Sequence, residues 1–187
     1  PFLGSGALFF ALQPKNAYLS DINKELINTF VQLRDNYNAV IKHLKLMKYN
    51  RKTYYKIRSK QFKNPITRSA RFIYLNKTCW NGLYRENSNG RFNVPMGRYK
   101  NPVICNTDIL ETARRILRNA KIKSSDFETV IKTAKKGDLI YFDPPYVTSH
   151  KNNGFIEYNS KIFSLKDQHR LKKTIVNLNF LKSKNIY

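Results

Sequence analysis

The sequence predicts an α/β fold: a parallel sheet with helical crossovers, interrupted by an inserted module of helical and β-hairpin character. Three observations predict it. Short apolar strands alternate with segments of helical period, the pattern of strands joined by crossover helices. Three acids, Asp21, Asp126 and Asp143, each stand just after such a strand. Between residues 51 and 103 the chain becomes rich in Arg, Lys, Asn and aromatics and poor in long aliphatic runs. The expected organisation is residues 1–50 and 104–187 as two parts of one domain, with residues 51–103 inserted as a recognition module.

Taken in order, "PFLGSGALFF" places Gly4 and Gly6 in a tight turn ahead of an apolar helix-forming run. "NAYLSDIN" supplies a strand, Ala17 to Ser20, ending on Asp21. From Asn23 to about Tyr49, apolar residues at Leu26, Phe30, Leu33, Tyr37, Val40, Ile41, Leu44 and Met47 predict one long amphipathic helix. Asp21 or Asn23 would cap it. Within the insertion, "ITRSARFIYLNKT" reads as a helix. "LYRENSNGRFNVPMG" alternates about Asn89-Gly90, a two-residue hairpin turn whose positions both tolerate positive φ. "NTDILETARRILRNA" is a helix capped by Asn106 or Thr107, with Ile109, Ala113, Ile116 and Leu117 on one face. "AKIKSS" is a strand, "FETVIKTAKKG" a helix closed by Gly137, "DLIYF" a buried strand, and "SLKDQHRLKKTIVNLNFLKSK" a last helix.

Composition narrows the function. A hydrophobic content of 41% suits a folded core. The 35 Lys+Arg against 12 Asp+Glu, formally +23, favour a polyanionic partner, and nucleic acid is the usual one. Some of that excess accompanies general richness in Lys, Asn, Ile and Tyr, but Arg85, Arg91 and Arg98 cluster around one loop. No run approaches the roughly 18 apolar residues of a membrane span, and no signal peptide opens the chain, so a cytoplasmic monomer is expected. Cys79 and Cys105 form no CxxC pair, and His43, His150 and His169 are scattered, so neither a disulfide framework nor a metal site is expected. The chain opens without Met and stops at "LKSKNIY", which reads as the start of a strand. It is expected to be a fragment lacking both ends, with weakened cofactor binding.

In an open α/β sheet, ligands bind beyond the carboxyl ends of the strands. Each acid alone reads as a helix cap. Three at equivalent strand ends, after a glycine turn, read as a site for a nucleoside-containing cofactor, because a carboxylate there accepts hydrogen bonds from ribose hydroxyls. Phe127 beside Asp126 adds an apolar ring suited to an adenine. Asp143-Pro144-Pro145-Tyr146 carries different chemistry. Two prolines remove two amide donors and fix φ, leaving a rigid loop with outward carbonyls. The Asp143 carboxylate and the Pro144 carbonyl can accept both hydrogens of one exocyclic amino group, while Tyr146 offers a face for a planar base. Holding both hydrogens draws the nitrogen toward sp³ geometry, so positioning and electrostatics carry methylation of an unreactive conjugated amine.

These motifs resemble, in family order, those of the Dam-type DNA adenine-N6 methyltransferases. "PFLGSGALFF" is similar to the glycine motif, "YLSDIN" to the ribose-binding acid, "SSDFE" to the third cofactor motif, "DLIYFDPPY" to the catalytic motif, and "FSLKDQHRL" to the helix after it. The most specific match is "YLNKTCWNGLYRENSNGRFNVPMGRYKNP", residues 74–102, which resembles the hairpin by which the family reads GATC. The resemblance implies a Rossmann-like S-adenosylmethionine-dependent methyltransferase sheet acting on double-stranded DNA, without a metal. It implies that Phe2, Gly4, Gly6, Asp21, Asp126 and Phe127 line the S-adenosylmethionine pocket. Asp143, Pro144, Pro145 and Tyr146 would hold a flipped-out adenine, with Asp143 also beside the cofactor. Arg85 would read a guanine, Pro95 a base further along, and Trp80 and Asn81 would enter or brace the stack. Arg98 falls to a phosphate contact. Two other readings stay open. One is a same-fold enzyme on cytosine N4, RNA guanine N2 or a protein glutamine amide, and the other is a non-catalytic DNA-binding remnant.

Overall fold

Two strands, β1 (Ala17–Asp21) and β2 (Ala120–Ser124), run parallel and form the sheet among the described residues. The computed structural model describes residues 1–87, 89–145 and 163–183. Ala17 lies opposite Ala120, and Asp21 opposite Ser124, so the carboxyl ends of the two strands are level. Five helices separate them in sequence: α2 (Lys24–Asp35), α3 (Tyr37–Lys45), α4 (Arg51–Ser59), α5 (Pro65–Thr78) and α6 (Thr107–Leu117), with a short α1 (Ala7–Leu12) before β1. A 3-10 helix (Phe127–Lys132) follows β2, and α7 (Leu165–Ser183) is the last described element.

The helix expected from Asn23 to about Tyr49 is two helices. Asn36 leaves helical geometry (φ −129°, ψ 34°), closing α2 through its N–H to Gln32 and opening α3 by accepting from Val40. Its carboxamide also donates to Gln32 Oε1 at 2.9 Å. An Asn that bonds its own surroundings competes with the helical ladder, and apolar periodicity carries no trace of that. Asn23 is the N-cap of α2, accepting from Glu25 and Leu26 at 3.0 Å each.

One core runs through what the sequence separated. Phe30 and Leu33 of α2, Val40 and Leu44 of α3, Tyr54 of α4 and Tyr74 and Leu75 of α5 belong to a single buried cluster with Leu117 and Ala120. Arg34 of α2 donates to the Ala120 carbonyl at 2.7 Å, and Tyr37 of α3 donates to the Thr107 carbonyl at 3.0 Å. These two bonds tie the helical layer to β2 and to α6.

Three further expectations change. "DLIYF" forms no strand: residues 138–142 have no ladder partner among the described residues, and Leu139 is 83% exposed. An apolar run becomes a strand only when a neighbour pairs with it. "FETVIKTAKKG" is a 3-10 helix that stops at Lys132, held by an Asp126 cap and followed by a turn to Gly137. On α6 Ile109 faces outward at 65% exposure, while Leu117 is buried and Leu110 and Ile116 pack on the core. The hairpin around Asn89-Gly90 is present, with Glu86 bridged to Phe92. Asn87 pairs with the Arg91 carbonyl, making a three-residue tip in which Gly90 takes φ 67°.

Candidate active site and recognition hairpin

The carboxyl ends of β1 and β2 gather six of the predicted site residues. Leu3 N–H donates to the Ser20 carbonyl at 2.9 Å, which lays the first residues beside β1. The chain then reverses through Gly4 (φ 51°) and Gly6 (φ 72°) into α1. A Cβ at Gly6 would approach the Phe10 ring at 3.1 Å, so this turn needs glycine for its backbone and for its space. Asp21 fixes the turn from below: Oδ2 accepts from Gly4 N–H at 3.0 Å and Oδ1 from Asn23 N–H at 2.9 Å. One carboxylate thus sets both the glycine turn and the start of α2.

Asp126 and Phe127 lie one strand over. Asp126 Oδ1 accepts from Glu128 N–H at 3.0 Å and from Arg170 Nη2 at 2.9 Å, and Oδ2 has no partner among the described residues. Phe127 is buried, with Phe2 stacked against it at 5.2 Å and Phe163 at 6.1 Å. Its ring therefore serves as the floor of an aromatic cluster, and Phe2 is the more accessible ring.

Arg170, from α7, joins this strand-end cluster, although nothing in the sequence singled it out. It pairs with Asp126, Glu128 and Asp167, each at 2.9 Å, and its guanidinium sits 4.9 Å from the centre of the Phe127 ring. Three carboxylates raise its pKa, Glu128 contributing most. Asp167 closes a capping box with Ser164 and is held down to about 2, by the Ser164 hydroxyl first, then the Ser164 amide and Arg170. The local signal was the Asp167–Arg170 spacing of three, but nothing local foretells a pairing with Asp126 across 44 residues.

Asp143, Pro144 and Pro145 line a groove of about 580 Å³ against α7, with Phe163, Leu171 and Lys172 among its walls. Asp143 and Pro145 are exposed. Phe163 joins this groove to the strand-end cluster, because it also meets Phe2 at 5.7 Å. Tyr146 lies outside the described residues. Two carboxylates at level strand ends, a glycine turn whose Gly4 side is open, and an aromatic cluster fit a nucleoside carrying hydroxyls and an apolar base.

The remaining predicted residues lie on the segment after α5. Trp80, 54% exposed, and Asn81, at φ 57°, occupy a 3-10 turn (Trp80–Gly82), and Trp80 N–H donates to the Pro95 carbonyl at 2.9 Å. Arg85 and Asn93 face each other across the hairpin: Asn93 N–H donates to the Arg85 carbonyl, and Arg85 Nε donates to Asn93 Oδ1 at 2.9 Å. Pro95 and Arg98 are exposed, and Arg98 belongs to the loop that follows the hairpin.

A buried hydroxyl and a half-buried guanidinium of α4 pin this hairpin. Tyr54 OH donates to the Val94 carbonyl at 2.9 Å, and Arg58 reaches the Asn93 and Val94 carbonyls. Burial raises the pKa of Tyr54 above the ordinary phenol range and pushes Tyr74 up to about 12. Arg71 donates to the Ile57 and Arg58 carbonyls at the end of α4. At the far side Gly97 is required by contact, since a Cβ there would lie 2.9 Å from the Cys79 carbonyl oxygen.

The chain is 42% identical over 182 residues to a type II methyltransferase of Lactococcus lactis subsp. cremoris, covering 92% of this chain and 64% of that protein. It is 39% identical to a type II methyltransferase of Methanocaldococcus jannaschii, covering 92% and 66% respectively. It is 33% identical to the DNA adenine methylase of Serratia marcescens, covering 91% and 65%. The chain thus spans just under two thirds of the length of these relatives. The family model described as D12 class N6 adenine-specific DNA methyltransferase matches residues 1–187, and the chain belongs to that family.

Proposed function

We propose that the protein is a site-specific DNA adenine methyltransferase, transferring a methyl group from S-adenosylmethionine to N6 of an adenine flipped out of the duplex, in GATC. The observation that carries this reading is the meeting, through Phe163, of the Asp21/Asp126 strand-end cluster with the Asp143-Pro144-Pro145 groove. S-adenosylmethionine supplies an electrophilic methyl group on a sulfonium. Gly4, Gly6, Asp21, Asp126, Phe127 and Phe2 would hold it, the carboxylates accepting from hydroxyl and amino groups and the rings covering apolar surface. Asp21 already carries two amide donors, so its free lone pairs are already oriented toward incoming hydroxyls.

Asp143 and the Pro144 carbonyl take the two hydrogens of the target amine. They hold it with the lone pair turned away from the clamp, and Asp143 receives the proton that the alkylated nitrogen sheds. Extruding the base costs a few kcal/mol, which stacking on Tyr146 partly offsets. Arg85 and Pro95 read the flanking bases from the major groove, while Trp80 and Asn81 brace the gap. The basic surface, formally +23 over the chain, supplies phosphate contacts and a steep salt dependence of binding.

The test is nucleoside analysis of duplexes incubated with S-adenosylmethionine and the full-length protein. N6-methyladenine is expected in duplexes containing GATC and not in those lacking it. N4-methylcytosine, or equal methylation of both duplexes, overturns the reading.

A further inference from the structure

Arg85 is a base reader only if its guanidinium is presented edge-on to the groove, and an arginine on a two-stranded arm has many rotamers. The hairpin removes most of that freedom. Arg85 Nε donates to Asn93 Oδ1 at 2.9 Å, directly across the ladder. Among the described residues its Nη1 and Nη2 have no partner, so the terminal edge, with two parallel N–H groups, is the edge left to meet two acceptors.

The backbone of Asn93 is tied on both sides. Its N–H donates to the Arg85 carbonyl at 3.1 Å, and its carbonyl accepts from Arg58 Nη1 at 3.4 Å. Val94 beside it is buried and held by Tyr54 and Arg58. A buried tyrosine of α4 thus holds the backbone beside Asn93, and the Asn93 carboxamide accepts from the guanidinium.

We infer that Asn93 is a positioning residue for sequence recognition: it occupies the Nε edge of Arg85 so that the Nη edge meets O6 and N7 of a guanine. The inference rests on the proposed role of Arg85 and adds what sets its geometry. Among the described residues every other bond of Asn93 is made by its backbone, so a side-chain substitution removes the orienting acceptor and leaves the hairpin ladder in place.

The experiment measures kcat/KM of the full-length protein on a GATC duplex and on duplexes with each G·C pair of the site replaced in turn. It uses Arg85→Ala, Asn93→Ala, the near-isosteric Asn93→Leu and Asn93→Asp, with melting temperatures recorded for each. The parent protein should discriminate against one replaced pair by about 5- to 150-fold. Arg85→Ala should abolish that discrimination. Asn93→Ala and Asn93→Leu should lower it about fivefold or more, with activity on the replaced duplex unchanged, and Asn93→Asp, which keeps an acceptor for Nε, should restore it. If Arg85→Ala removes discrimination while Asn93→Leu keeps it, the inference about Asn93 fails and the reading of Arg85 survives. If the Asn93 variants slow all duplexes equally, Asn93 is merely structural and the inference also fails. If Arg85→Ala leaves discrimination intact at every position, both fall. Should Asn93→Ala not fold, the Asn93→Leu and Asn93→Asp pair decides.

Discussion

The segment after α5 and the strand-end face are held together by opposite means. After α5 the chain folds back on phenol hydroxyls: buried Tyr54 to Val94, half-buried Tyr49 to Gly97, and Tyr99 to Cys79. At the ends of β1 and β2 the work falls to carboxylates that are partly exposed, with Asp21 holding the glycine turn and Arg170 drawing Asp126, Glu128 and Asp167 together. In the proposed function the first arrangement is a platform that would present side chains to DNA. The second would offer a small polar ligand acceptors whose hydrogen bonds can be shared. The difference teaches where each region will fail.

Breaking the platform should have the largest effect. Tyr54 is fully buried, and Tyr54→Ala removes a ring and the Val94 bond together, at a cost of about 3–5 kcal/mol. Chemical denaturation should show that loss, and surviving folded protein should bind S-adenosylmethionine with near-parent affinity. Breaking the face acts on the ligand instead. Asp21→Ala strips the acceptor from Gly4 and Asn23 and should weaken cofactor binding about tenfold to a hundredfold in calorimetry. Its affinity for non-specific DNA should stay unchanged.

The two regions should also part company with pH. Tyr54, Tyr74 and Tyr84 all have raised pKa values, chiefly from burial, so their contribution to stability is complete below the ordinary phenol value of 10.0. It should fall as pH rises past that value toward about 12, where Tyr74 ionises in the folded protein. Asp167 has the opposite sign. Held at about 2 against 3.8, it contributes above the ordinary carboxylate value and loses that contribution as pH falls from there toward 2. Melting curves across pH should therefore lose the platform at the alkaline end, and cofactor affinity should soften at the acid end. The smallest effect is expected for Arg170→Gln: its pairs are partly exposed, so cofactor affinity should drop only about threefold to tenfold, and less at high salt.

Much of this was legible in residues whose role is local. The glycine turn, the acids after β1 and β2, the hairpin at Gly90 and the helices over 65–78, 107–117 and 165–183 follow from turn chemistry, caps and spacing. What stayed hidden depends on partners distant in sequence. The Asn36 break competes with an apolar stripe that runs straight through it. Helix α4, with few aliphatics, is stabilised by Tyr54 and Ile57 entering a core built by other elements. Arg170 finds Asp126, and Arg85 finds Asn93, only once the chain has folded back. The "DLIYF" run shows the converse: a strong local pattern that no described segment pairs with.

In the proposed function, cofactor holding falls to the strand-end face and base reading to the hairpin. The most direct measurement takes Asp21→Ala and Arg85→Ala in the full-length protein and determines, for both, the dissociation constant for S-adenosylmethionine and the preference for GATC over a duplex with one G·C pair replaced. The prediction is a crossed result: Asp21→Ala loses cofactor affinity and keeps the preference, while Arg85→Ala loses the preference and keeps cofactor affinity. Both variants losing both properties together, or neither losing either, would contradict it.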